Sequence, residues 1–169
     1  MFWNTKIKCG IFLLLLALIA MYFHQLPLTN ELIVALELNP SEEGIKILTT
    51  PFGIDEFKRV FTIHVCYDFL LMLSYVYLLF NWIKFLQSSS NNKLWNLMGN
   101  ISCYLIFLAG LLDITEDFLM YQYLVQDHKI FLWNYVSTIK FLLIFIVVIY
   151  VLSYLYIINK KAPEKSSAL

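Results

Sequence analysis

Charge is scarce in this chain. Asp, Glu, Lys and Arg make up 14% of its 169 residues, where a soluble domain averages about 25%. The few charges also cancel, twelve basic against twelve acidic, so there is no basic footprint for nucleic acid. Cysteine is sparse and scattered. Cys9, Cys66 and Cys103 form no CxxC or CxxH, and three cannot complete a disulfide framework. Zinc, haem and redox readings therefore find no support in cysteine, and Cys66 and Cys103 read as small hydrophobes inside apolar runs. No GxSxG, HExxH or Walker loop occurs. There is no strict apolar–polar alternation of barrel strands, and no repeat that would make the halves inverted copies.

What remains is hydrophobic: 60% of the residues, against about 45–50% in soluble domains. A membrane-crossing helix needs about 20 mostly apolar residues. Four segments qualify, at about 10–28, 60–83, 94–122 and 131–158. The expected fold is all-α, an integral membrane four-helix bundle forming one domain over residues 1–159. Residues 160–169 read as a flexible tail. The first run follows Lys6 and Lys8, as a signal peptide would. It lacks a small-x-small cleavage pattern after Ala20, so it reads as a retained helix.

Basic residues set the orientation. Lys6, Lys8, Lys84, Lys93, Lys160, Lys161 and Lys165 fall on one side, and Lys46, Lys58, Arg59 and Lys129 on the other. The positive-inside rule puts the larger group, and both termini, in the cytoplasm. The long connection 29–59 then lies outside. Its apolar LIVALEL stretch and the Asn39-Pro40 turn signal suggest short interfacial helices capping the bundle. The connections near QSSSNNK and QDHK are short, which sets neighbouring helices antiparallel.

Ionisable residues inside spans are costly in lipid and mark functional sites. Asp68 lies in the second span, Asp113 and Glu116 in the third, and Lys140 in the fourth. At ~1.5 Å per residue, Asp68, Asp113 and Lys140 each lie about 12–14 Å from the outer end of their spans. They are expected to share one layer. His64 precedes Asp68 by four residues and Glu116 follows Asp113 by three, so each joins its neighbour's face. Asp117, Thr138 and Tyr67 are candidates for the periphery, and Tyr75 for a nearby hydrogen bond. If all were ionised, Asp68, Asp113 and Glu116 would exceed Lys140 by two negative charges. One ion pair plus at least one protonated acid is the expected state. Below this layer the spans are almost wholly apolar, so the site reads as an outward-facing pocket rather than a through path.

Three functions fit such a layer. It can bind a small cationic ligand, a lipid or a partner. It can serve an intramembrane enzyme acting on a lipid or isoprenoid by carboxylate and histidine acid–base chemistry. It can also be an ion-pair network that only sets helix register. A single histidine beside carboxylates is a weak metal signature, so no metal and no cofactor are expected. The bilayer is the expected surrounding. Oligomeric state is not encoded.

YDFLLMLSYVYLLF and AGLLDITEDFL, with STIK in the fourth span, resemble a family of small four-span bacterial membrane proteins. The family carries an Asp in the second helix, D-x-x-E-N in the third and a Lys in the fourth. The matching positions are Asp68, then Asp113 and Glu116, then Lys140. The family's Asn is Asp117 here, a departure. The resemblance implies a shared charged site in a bacterial inner membrane, and no particular activity.

Overall fold

The computed structural model describes residues 4–24, 54–126 and 132–161. They form four helices: α1, Thr5–His24; α2, Ile54–Ser88; α3, Lys93–Gln126; α4, Trp133–Lys161. All four are long and apolar enough to cross a membrane. The all-α expectation holds. Of the expected outer connection 29–59, residues 54–59 instead begin α2; of the expected tail 160–169, Lys160 and Lys161 instead end α4; the rest of both falls outside the described residues.

The helices begin where capping chemistry permits, not where hydropathy rises. The Asn4 side chain accepts from the Lys6 backbone N–H at 3.2 Å, so α1 starts before its apolar run. Asp55 and Glu56 occupy the first turn of α2, where carboxylates suit the positive end of the helix dipole. That helix therefore starts six residues ahead of the expected Val60. Arg59 pairs with Glu56 at 2.7 Å on the same exposed turn. Asn92 caps α3 through the Leu94 N–H at 2.9 Å. Only residues 89–92 separate α2 from α3, so these two helices run antiparallel.

Helices α2, α3 and α4 form the packed unit. Among the described residues, α1 touches α2 alone. Its contact face is Ile7, Gly10 and Ala17, all buried, at the helical spacing of three and seven. Gly10 makes the approach close. A Cβ there would lie 3.0 Å from the Leu78 Cα, the role small residues play between membrane helices. The rest of α1, such as Phe12 and Leu15, is exposed apolar surface suited to lipid.

The packed unit has two apolar cores. One, at the end of the 89–92 connection and called inner for that position alone, holds Ile83, Leu86, Ile106, Ala109, Val147 and Tyr150. The outer one holds Phe57, Phe61, Met120 and Trp133, each at most 2% exposed. Between them lies a polar layer.

Candidate functional site

Helical spacing builds the layer from three directions. Asp113, Glu116 and Met120 share one face of α3, at steps of three and four. Trp133, Ser137 and Lys140 do the same on α4, and Asp68 and Tyr75 are seven apart on α2. Met120 and Trp133 belong to the outer core, so each stripe runs from apolar plug to charge.

Lys140 is the centre. Its Nζ lies 2.6 Å from Asp113 Oδ1 and also pairs with Glu116 Oε2. These three side chains are 6%, 6% and 2% exposed, so both pairs are shielded from solvent. The Phe141 ring flanks the ammonium at 4.7 Å, a distance that allows cation–π attraction. Tyr75 donates its hydroxyl to Asp113 Oδ2 at 2.9 Å. Ser137 Oγ lies 2.7 Å from Glu116 Oε1 and 2.8 Å from the Trp133 carbonyl. A serine has one hydrogen to give, and the carboxylate is the stronger acceptor. Asp113 and Glu116 are thus held by Lys140 and by one hydroxyl each.

Asp68 and Asp117 form a second group. Their carboxyls lie within hydrogen-bonding reach of each other and feel the charges of Asp113, Glu116 and Lys140. A hydrogen bond between two carboxyls needs one proton between them. The layer therefore holds four acids and one lysine. With Lys140 charged and one proton on the Asp68–Asp117 pair, two negative charges remain.

Asp68, Asp113 and Lys140, expected at one depth, and Glu116, expected on the Asp113 face, lie in one electrostatic neighbourhood. Asp117, expected at the periphery, is the partner of Asp68. His64 is buried one turn outward, its ring centroid 6.2 Å from that of Phe61. Tyr67 is half-buried. Thr138 is exposed and donates to the Asn134 carbonyl at 2.8 Å, and Thr62 and Thr115 likewise bond to their own helices. Ser137 is the residue sequence reasoning missed. Its position three before Lys140 was the available signal. Among the described residues, no three His, Cys, Asp or Glu side chains are grouped to hold a metal ion.

The expected outward-facing pocket would open toward residues 25–53 and 127–131, which lie outside the described residues. Among the described residues, Phe57, Phe61, Met120 and Trp133 pack as a buried apolar cluster beside the layer, contributed by α2, α3 and α4. An opening beside the layer, among the described residues, is lateral. A groove of about 490 Å³ between α2 and α3 is lined by Val65, Cys66, Phe69, Ile114, Asp117, Phe118 and Tyr121. Its one charged residue is Asp117. A second groove of about 300 Å³, between α3 and α4 in the inner half, is lined by Trp95, Ser102, Tyr150, Ser153 and apolar neighbours.

Fold and layer together define an all-α bundle of membrane-spanning helices with a charged interior. No family model, curated protein or solved structure matches the chain.

Proposed function

We propose that this is an integral membrane protein that uses the charged layer to bind a small cationic or lipid-like ligand. On this reading the protein lies in a bacterial inner membrane, with the 89–92 connection and both termini on the cytoplasmic side. The excess of acid over base carries the proposal. Asp113 and Glu116 already satisfy Lys140, and that set spans α3 and α4 while Tyr75 ties in α2. Register among the three helices is thereby fixed. Asp68 and Asp117 add two more ionisable groups that this task does not need. Interhelical polar contacts contribute only about 0.6–2 kcal/mol in membranes, while an Asp at mid-span costs about 2.5–3.5 kcal/mol to insert. A cation between the two acids offsets that cost.

The competing reading makes all four acids structural. Thermal unfolding of the purified protein separates the two. Asp68→Asn combined with Asp117→Asn should leave the melting temperature unchanged or raise it, because the amides keep a hydrogen bond and remove charge. Lys140→Met should lower it. If the Asn pair melts as low as the Lys140 variant, the acids are structural and the binding proposal fails.

A further inference from the structure

The ligand chemistry follows from how the layer is reached. Among the described residues, Phe57, Phe61, Met120 and Trp133 pack as a buried apolar cluster at the start of α2 and α4. The open route runs through the α2–α3 groove, whose walls include Phe69, Ile114 and Phe118, themselves 46%, 43% and 58% exposed on the apolar surface. A ligand using this route must be soluble in hydrocarbon. It meets a single charged group, Asp117, backed by Asp68 and by further negative charge. Charge complementarity selects a cationic head, and the apolar walls select an apolar chain behind it. Lys140 is paired with Asp113 and Glu116 and also acts on Asp68 and Asp117 through its charge.

We infer that the groove takes a single-chain amine amphiphile from the bilayer and seats its nitrogen between Asp117 and Asp68. The inference rests on the ligand-binding reading above and names its ligand class and entry. The amine enters neutral, as the hydrocarbon requires. Its nitrogen lone pair accepts the proton held between the two carboxyls; an O–H bond breaks and an N–H bond forms. The product is an ammonium flanked by two carboxylates. An ammonium has several N–H donors and no acceptor, which suits Asp117 in the groove wall with Asp68 beside it. The net charge of site plus ligand is unchanged by the transfer, so no ion crosses the membrane.

Cys66 provides the readout. It lines the groove and is exposed, whereas Cys9 is exposed on α1, away from the groove. The full chain in lipid nanodiscs is labelled with N-ethylmaleimide, and mass spectrometry follows each cysteine. Dodecylamine is the probe and dodecanol the uncharged control. With dodecylamine at about ten times its Kd, labelling of Cys66 should slow about tenfold, as the free fraction falls. Cys9 should be unaffected. Dodecanol should protect Cys66 far less, and Asp117→Asn should abolish the difference between the two probes. Equal protection by dodecanol, or a difference that survives Asp117→Asn, means the groove accepts any apolar chain and overturns the inference. Because Asp117→Asn can disturb the fold, Glu56→Gln on the exposed first turn of α2 is run as a charge-removal control and should keep the difference. Thermal shift by the same probes keeps the two proposals apart. Stabilisation by dodecylamine without protection of Cys66 leaves ligand binding standing and refutes entry through the groove. Neither effect refutes both.

Discussion

Replacing Lys140 by Met removes the one positive charge of the layer and leaves its shape nearly intact. The side chain of Lys140 is 6% exposed, and the acids it holds, Asp113 and Glu116, are 6% and 2% exposed. Both then keep the hydroxyls of Tyr75 and Ser137 as donors, beside the further acids Asp68 and Asp117. Breaking a buried pair by deleting one partner costs about 3–5 kcal/mol, mainly through the charge left behind. For a domain of 150–250 residues each kcal/mol moves the melting temperature about 2–4 °C. The expected loss is therefore about 6–20 °C in a detergent melt. Adding Asp113→Asn removes one stranded charge and should recover part of the loss, a coupling of about 0.5–3 kcal/mol in a double-mutant cycle. A Lys140→Met protein melting within ~1 °C of wild type would refute the reasoning, since that shift is below what even 1 kcal/mol produces.

Other perturbations separate neighbouring contributions. Ser137→Ala deletes a hydroxyl 2.7 Å from Glu116 and should cost about 1–2 kcal/mol, whereas Thr138→Ala, exposed and bonded to its own helix, should stay within about 0.5 kcal/mol; chemical denaturation of the two variants side by side checks the contrast. Trp133→Ala empties a fully buried ring from the outer core, with an expected cost of about 3–5 kcal/mol and faster modification of the layer's acids by a water-soluble carbodiimide, followed by mass spectrometry. Gly10→Leu places a side chain where even a Cβ meets the Leu78 backbone at 3.0 Å. It should loosen α1 from α2 and abolish a disulfide cross-link engineered between those helices, while α2, α3 and α4 keep their unfolding transition.

Much of this architecture was readable in one dimension, because crossing hydrocarbon demands a run of about 20 apolar residues and little else produces one. Helix ends were less readable. Hydropathy begins α2 at Val60, yet Asp55 and Glu56 carry the helix outward because carboxylates suit its positive end. Depth along a helix follows from counting residues, which is why Asp113 and Lys140 could be assigned to one layer. Rotation about the axis does not follow from counting alone. Ser137 and Thr138 are adjacent and chemically alike, and only the packing of α4 on α3 turns the serine toward Glu116 and the threonine outward. The apolar cluster beside the layer depends on three helices at once, and the lateral groove on two. No local pattern in the spans carries that information.

On the proposed function, Asp68 and Asp117 are kept for a cationic ligand. Equilibrium binding of radiolabelled dodecylamine to the protein in nanodiscs tests it most directly. The account predicts saturable binding of one amine per chain, lost on combining Asp68→Asn with Asp117→Asn and retained in Glu56→Gln. Binding that is non-saturable, or equally strong in the Asn pair, would contradict it.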